Sequence, residues 1–333
     1  MKKICVALSA ILAAATLGAQ TPAVDSYFEM RADAKLPKKG DPVNAHLANL
    51  YVNANLNSQL SFHWRVRFSK WFGGQNVINS SDFLYLKWQP FEHLRFKAGR
   101  ECLYIGGYEY EQGPIDIFYT SEFCNNVAPY KFTATVDYVG ENDMLGFQVG
   151  ETPFGKKGVM LSAMWNGRHG FFESLWSVNA GENLEGKYSS LLGLGNRFFL
   201  TDVLTFYLDY TDRLHSGLLK DFTIVPKLTW RPSRLFGTRL EGSIDYNRSG
   251  KSNYRLSADG ISYFCSLPDE FRCLNGGIQL EFFPLKALGD DFRIHASYNH
   301  RRSKSFVTGD TSDSDCLNLG ITYKLRRRGS SAK

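Results

Sequence analysis

The sequence has only one long apolar run, and that run lies at the start of the chain. Ile4 to Ala19 is 16 residues long and follows Lys2 and Lys3, whereas a helix that spans a membrane needs about 20 apolar residues. The lack of any longer run excludes a helical membrane protein. A basic start, an apolar stretch and small residues predict that residues 1–19 are a signal peptide, cleaved before Gln20. The mature chain of 314 residues is then exported.

Cysteine is scarce and the net charge is small. Loss of residues 1–19 leaves five cysteines and a net charge of +4, too few cysteines for a disulfide scaffold. The one basic block is Arg326 to Arg328, so a nucleic-acid partner is excluded. Disulfide bridges Cys102–Cys124 and Cys265–Cys273 are possible, with free buried thiols as the alternative. Cys316 has no obvious partner.

Catalytic motifs are also missing. Residues Gly150 to Lys157 come close to a phosphate-binding loop, but Lys157 stands where the hydroxyl residue is needed and no helix is predicted after it. The seven histidines show no zinc-ligand spacing. Asp310, Asp313 and Asp315 are typical of a solvated acidic loop, with a calcium site as the alternative. We therefore expect no enzyme activity, no cofactor and no metal.

After residue 20 the dominant pattern is alternation of apolar and polar residues. In one run of ten residues Phe62, Trp64, Val66 and Phe68 alternate with polar or charged neighbours. Runs of similar length recur to the end of the chain, separated by Gly, Pro, Asn and Asp, so the fold class is all-β.

The connections between these runs alternate between short and long, which is the hairpin rhythm of an outer-membrane barrel. The seven short ones lie near Asn57, Pro90, Asn142, Gly167, Thr201, Pro232 and Leu285. With both chain ends on one side, seven short turns predict a 16-stranded antiparallel transmembrane β-barrel over residues 20–325, followed by a short basic periplasmic tail, residues 326–333. Tyr254 to Cys265 then belongs to a long outer loop, since another strand would break the even count.

The last predicted strand ends in a pattern of its own. Asn318 to Leu325 places a glycine, an aromatic residue and an apolar residue at alternating positions. This segment resembles the C-terminal signal that is read by the barrel assembly machinery, although that signal commonly ends the chain and here a basic tail follows. We expect that machinery to be a partner.

One stretch of the sequence resembles a known family. Residues 99–110 (GRECLYIGGYEY), followed by Pro114-Ile115, Ser121-Glu122-Phe123 and Thr152-Pro153-Phe154-Gly155, are similar to segments of the phosphate-selective porin O/P family of Bacteroides-type bacteria. The resemblance implies a 16-stranded, usually trimeric diffusion channel whose third outer loop folds into the lumen. It does not imply phosphate as the solute, because the lumenal arginines of that family find no residue-by-residue match.

Charges on the predicted inward faces fall into two groups, because charged side chains inside a membrane barrel must face water. Strands 3 to 5 supply a basic wall sector with no predicted inward acid: Arg65, Arg67, Lys87, Arg95 and Lys97. The connection from Glu101 to Pro129 is the longest and has no Lys or Arg. Its acids are Glu101, Glu109, Glu111, Asp116 and Glu122. We expect this loop to fold inward and oppose the basic sector across the pore, with an outward acidic loop as the alternative.

These observations predict an outer-membrane porin with weak charge selectivity. Its expected partners are small hydrophilic solutes and ions, outer-membrane lipid and lipopolysaccharide, and two further copies of the chain in a homotrimer. A substrate-specific anion channel and an outer-membrane anchor for adhesion or enzymatic activity are the alternatives.

Overall fold

The computed structural model describes residues 23–36, 43–155, 157–183, 186–214, 217–249, 270–285 and 288–326, together with 254–256, 262–264 and 267. The predicted signal peptide and the tail beyond Arg326 lie outside these ranges. Eighteen strands are present in the described residues: β1 (Ala23–Leu36), β2 (Val43–Asn55), β3 (Leu60–Arg67), β4 (Ser81–Phe91), β5 (Leu94–Cys102), β6 (Tyr130–Val139), β7 (Asp143–Glu151), β8 (Val159–His169), β9 (Phe172–Glu182), β10 (Tyr188–Thr201), β11 (Leu204–Arg213), β12 (Asp221–Trp230), β13 (Phe236–Asn247), β14 (Tyr254–Leu256), β15 (Ser262–Phe264), β16 (Phe271–Phe282), β17 (Phe292–Ser305) and β18 (Thr311–Arg326).

Helices are few and short in the described part of the chain. They are α1 (Phe68–Phe72), α2 (Val77–Ser80) and α3 (Glu122–Asn126), with 3-10 turns at Pro114–Asp116 and Gly289–Asp291. None of the described helices is long and apolar enough to cross a membrane.

Sixteen of the strands form one closed antiparallel barrel, as predicted. Each strand pairs with its neighbour in sequence, β13 pairs with β16, and β1 pairs with β18 to close the ring. The remaining two, β14 and β15, pair only with each other in a separate small sheet. The prediction that Tyr254 to Cys265 adds no barrel strand is therefore confirmed for the residues that the structure describes.

The short connections also lie where the sequence places them. β2 and β3 are joined around Asn57, where the Asn57 side chain accepts hydrogen bonds from the backbone N–H groups of Gln59 and Leu60. Such a side-chain bond replaces the ladder partners that the turn removes. The long connection between β5 and β6, residues 103–129, is the third outer loop and is called loop 3 below.

The barrel is polar inside and apolar outside, which follows from the alternation because successive side chains of a strand point to opposite faces. On β17, Arg293 and His295 are buried, while Ile294 between them is 44% exposed. Large aromatic residues such as Trp88 and Trp230 are likewise exposed on the apolar face. An apolar outer face and a polar interior are the arrangement of a transmembrane barrel.

Four of the five cysteines of the mature chain lie in the described residues. Cys102, Cys124, Cys273 and Cys316 are free thiols, so the Cys102–Cys124 bridge is not formed. Cys265 lies outside the described ranges.

Candidate functional site

The predicted basic residues lie on one face of three neighbouring strands. Arg65 and Arg67 belong to β3, Lys87 to β4, and Arg95 and Lys97 to β5. Lys87 is directly paired with Lys97 across the β4–β5 ladder, and residues paired in this way point to the same face. Arg65 is buried, whereas the other four are half-buried.

The expectation that this sector holds no acid is wrong, because Asp82 of β4 lies within it. Asp82 is buried and forms ion pairs with Arg65, at 2.9 Å, and with Arg67. The β3–β4 register shifts between Arg65 and Val66, whose partners are Phe83 and Ser81, so Asp82 is the extra residue of a bulge. A bulge redirects a side chain against the alternation, and on sequence parity alone Asp82 counts as outward.

Two further cations of the sector have carboxylate partners. Arg95 lies 2.8 Å from Asp137 on β6, and Lys97 lies 2.6 Å from Glu101. Among the described residues no carboxylate lies within 4.0 Å of the Lys87 ammonium. Most of the sector's charge is thus neutralised within the wall.

The five predicted acids of the long connection have different environments. Glu101 is the penultimate residue of β5, not part of the loop, and accepts hydrogen bonds from Thr133 and Thr135 of β6. Glu111 is the exposed acid of loop 3. Desolvation by the surrounding protein raises the pKa of Glu111, and Arg197 and Lys97 oppose this rise. Glu111 is therefore the loop carboxylate that has an electrostatic link to the predicted basic sector.

Glu109 is buried, and its carboxylate binds another residue of loop 3. Its carboxylate accepts hydrogen bonds from the backbone N–H and the hydroxyl of Ser121, at 2.6 and 2.7 Å. Burial raises the pKa of Glu109 to about 8; the Ser121 hydrogen bonds oppose this effect, and the nearby Glu241 and Asp245 add to it. Glu109 thus links the two halves of the loop.

Asp116 and Glu122 have partners on β17, not on β3 to β5. The Arg293 guanidinium lies 2.7 Å from Asp116, and Arg301 lies 2.9 Å from Glu122. Burial disfavours ionised Asp116, but Arg293, Lys324 and Arg239 outweigh this and hold the pKa of Asp116 below its usual range. The prediction that Asp116 and Glu122 face the basic residues of β3 to β5 across the pore is therefore wrong, because both acids pair with arginines of β17.

The tip of loop 3 is held by arginines that the sequence analysis did not single out. The Ile115 carbonyl accepts from Arg31 of β1 at 3.3 Å and from Arg293 of β17 at 2.7 Å, and Ile117 accepts from Arg31 as well. Arg239 of β13 donates to the Asp116 carbonyl at 2.9 Å. Each of these arginines lies on the polar parity of its strand, which is the signal that could have identified it.

The first residues of loop 3 are bound to β7 and β9, a few strands along the wall from β5. The Tyr104 N–H donates to Gln148 of β7 at 2.8 Å, and Asn179 of β9 donates to the Tyr104 carbonyl at 2.6 Å. The Gly106 N–H donates to Ser177 of β9 at 2.7 Å. These partners belong to the buried polar face of the barrel.

Glycines allow loop 3 to approach β10 closely. A Cβ on Gly106 would lie 2.6 Å from the Gly193 carbonyl oxygen, and a Cβ on Gly195 would lie 2.8 Å from the Cα of Gly107. Gly107 also has a positive φ of 112°, which favours glycine. Backbone contact this close is possible only without side chains.

The hydrogen bonds and ion pairs of loop 3 reach only part of the wall. They reach β1, β5, β6, β7, β9, β11, β13 and β17. Among the described residues, none of them reaches β2, β3 or β4. The part of the wall without polar contacts to loop 3 therefore includes most of the predicted basic sector.

A metal site finds no support in the described residues, where no group of three His, Cys, Asp or Glu is arranged to hold an ion. In the acidic segment near the C-terminus, Asp313 pairs with Arg302 and Asp315 with His300. Arg302 and the His300 ring thus each engage one carboxylate oxygen of these aspartates.

Comparison with known proteins gives matches in structure alone. No protein-family model matches the sequence, and no curated protein matches it significantly. Among solved structures, the outer membrane channel DcaP of Acinetobacter baumannii superposes with a TM-score of 0.64 at 12% identity, over 92% of this chain and 99% of that one.

Two further structures agree. The anion-selective porin from Comamonas acidovorans gives a TM-score of 0.59 at 8% identity, and the trimer form of OmpT, an outer membrane protein of Vibrio cholerae, gives 0.57 at 11%. Both superpositions cover 92% of this chain and 100% of the other. At these identities the likeness concerns the fold, and the chain has the barrel fold of these outer-membrane proteins.

Proposed function

We propose that this protein is an outer-membrane porin, a passive diffusion channel for small hydrophilic solutes and ions. The observation that carries the proposal is the closed 16-stranded barrel with charged and polar side chains on its inner face and apolar ones outside. Charged groups at membrane depth are tolerated where they face water, so this interior fits an aqueous pore. No reaction and no cofactor are needed for this function.

We infer that loop 3 lies within the lumen and narrows it. Its contacts with inward side chains of strands on several sides of the barrel support this placement. The buried apolar side chains of Ile115 and Phe123, which are 0% and 1% exposed, also favour packing over exposure to bulk water. The passage then runs between loop 3 and β2 to β4.

The ion pairs favour weak charge selectivity over the specific anion channel. Arg65 and Arg67 share Asp82, Arg95 faces Asp137, and Lys97 faces Glu101. Lys87 and Glu111, of opposite sign, remain without an ion-pair partner among the described residues. Paired charges produce small net fields at a distance, so a strong preference for anions is not expected.

The proposal also includes the oligomeric state, the family and the export of the protein. A homotrimer is supported by the trimer form of the structurally similar OmpT, and membership of the phosphate-selective porin O/P family by the sequence resemblance alone. Export through a cleaved signal peptide, contact with lipopolysaccharide and insertion by the barrel assembly machinery fit an outer-membrane location.

Planar-bilayer recording of the purified protein tests the function. We expect stepwise insertion events with ohmic conductance and a small reversal potential in a salt gradient. Properly folded barrels that insert without conducting, or channels with near-ideal anion preference blocked by low phosphate, would overturn the proposal in favour of an anchor or a specific channel.

A further inference from the structure

Aromatic side chains form a strip on β2 to β4, the strands without a polar contact to loop 3, and on the adjacent β1. The strip consists of Tyr27, Tyr51, His63, Phe83 and Tyr85, on β1 to β4. Tyr27 is directly paired with Tyr51, Tyr51 with Arg65, and Arg65 with Phe83; these residues share the inward face of Arg65 because paired residues point to the same side. His63 and Tyr85 form the next pair on that face.

The rings of this aromatic strip are arranged in contact with one another. Tyr27 and Tyr51 stack with centroids 4.3 Å apart and planes 12° apart, and His63 and Tyr85 stack at 4.9 Å and 18°. Phe83 meets Tyr85 edge-on at 6.1 Å. All five are half-buried, so each ring keeps a part that is open to the lumen.

Arg65 positions the strip and is itself not available to a solute. Its guanidinium lies 4.1 Å from the Phe83 ring centroid and 5.6 Å from that of Tyr51. It is only 4% exposed and pairs with Asp82. Arg65 thus covers one face of Phe83, and the strip presents to the passage the ring edges and those faces that its members do not cover for one another.

Neutral and acidic hydrogen-bonding groups lie beside the rings. The Tyr51 hydroxyl donates to Glu29 at 2.8 Å, and the two ring nitrogens of His63 lie 2.9 Å from Asn53 and 3.1 Å from Ser61. Below them a cavity of 360 Å³ is lined by residues that include Asn55, Ser58, Gln59, Lys87 and Gln89. This volume is within the range of about 300–1,000 Å³ of small-molecule sites.

This combination fits carbohydrate better than an aromatic acid. A pyranose ring has a face of C–H groups, which suits the negative face of an aromatic ring, and an edge of hydroxyls, which suits amides, imidazoles and carboxylates. An aromatic carboxylate would meet the Glu29 carboxylate beside Tyr51 and would find Arg65 already paired. The Arg326 guanidinium lies 5.2 Å from the Tyr27 ring centroid but is paired with Asp291. Lys87 is the cation near the strip that has no ion-pair partner among the described residues.

We propose that the aromatic strip is a binding track for oligosaccharides passing through the lumen. The proposal rests on the channel function above and names its solute class. Sugar units pack against the parts of the rings that their neighbours leave open, while the sugar hydroxyls exchange hydrogen bonds with the adjacent polar side chains, so the track favours a linear sugar over an apolar solute of equal size.

The test is current block in a planar bilayer by a linear glucose hexamer. In the wild-type channel we expect concentration-dependent interruptions of the ion current. Y27L/Y85L replaces two aromatic rings by aliphatic side chains. It should weaken the block about tenfold or more, as loss of two ring contacts implies. Y27F/Y85F keeps the rings and should retain the block. Y138L, on the exposed outer face, is the matched control and should behave as wild type.

The outcomes separate this proposal from the channel function. Conducting wild-type channels that the hexamer does not interrupt, or that benzoate interrupts at lower concentration, would overturn the track and leave the porin intact. Equal block in Y27L/Y85L and wild type would also overturn it. If the protein does not conduct, the porin fails, and calorimetric titration of the hexamer onto protein in amine-oxide micelles, which contain no sugar, decides the track alone.

Discussion

The Arg293 guanidinium of β17 lies 2.7 Å from the Asp116 carboxylate of loop 3, and the same side chain lies 2.8 Å from Glu281 of β16. It is 7% exposed as a residue and also donates to the Ile115 carbonyl. One buried cation therefore holds the tip of the loop and separates two carboxylates. Its removal leaves both acids without their partner.

Replacement of Arg293 by Gln is expected to release the tip of loop 3. Breaking a buried pair by removing one partner costs about 3–5 kcal/mol, so the barrel should lose its compact electrophoretic form at a lower temperature and single channels should conduct more, with more noise. R231Q is the matched control, because Arg231 pairs with the exposed Asp290, a type of pair that contributes about 0–1 kcal/mol. Equal effects of the two changes would contradict the role of Arg293.

Replacement of Glu111 by Gln is expected to shift the reversal potential toward anions. Glu111 is the exposed acid of loop 3. Desolvation raises the pKa of Glu111 and the nearby Arg197 and Lys97 oppose this rise, so loss of Glu111 leaves these two cations less opposed. The shift should be larger at 0.01 M salt, where the Debye length is about 30 Å, than at 1 M, where it is about 3 Å. E141Q, in a short periplasmic turn, is the control. An unchanged potential at low salt would place Glu111 away from the passage.

Stability of the loop is expected to fall as pH rises from about 5 to 8. The pKa of Glu109 is raised to about 8 by burial, well above the value of about 4.3 for a free Glu side chain. The folded state therefore binds the proton more strongly, and this contribution is full below the lower pKa and is lost as pH rises through the higher one. Denaturant titrations at several pH values should show that the free energy of unfolding falls with pH in wild type and falls less in E109Q. The same pH dependence of the free energy of unfolding in both proteins would contradict this role of Glu109.

Gly106→Ala is expected to displace the start of loop 3 from β10. The added Cβ would lie 2.6 Å from the Gly193 carbonyl oxygen and 2.8 Å from that of Leu175, and backbone atoms on both sides leave little room to relax. Thermal stability should fall and current noise should rise. Gly276→Ala is the control, since nothing lies within 4 Å of a Cβ there. A G106A channel with unchanged thermal stability and current noise would show that the loop tolerates displacement.

Alternation and turn residues predicted the barrel because both are local properties of the chain. The strand count, the seven short turns and the long third loop follow from them, and the closed ladder confirms the count. Asp82 was misplaced because one extra residue in a bulge reverses the parity on which the prediction depends. The boundary at Glu101 was also missed, since β5 runs on to Cys102.

Partners across the barrel could not be predicted in the same way. Parity states that Arg293 or Arg239 faces inward but not which side chain lies opposite, because that depends on the path of loop 3. Asp116 therefore pairs with β17, far along the chain from the β3–β5 sector to which the sequence analysis assigned it. The glycine contacts of Gly106 are equally invisible in sequence, since they involve backbone from distant strands.

The Ile115 carbonyl accepts hydrogen bonds from the first strand of the barrel, through Arg31, and from the strand before the last, through Arg293. These two strands flank β18, whose pairing with β1 closes the ring. The anchorage of the loop tip is thus complete only when the chain's two ends have met. During biogenesis the tip cannot be fully anchored before closure, so sealing of the barrel and fixing of loop 3 are coupled steps of assembly.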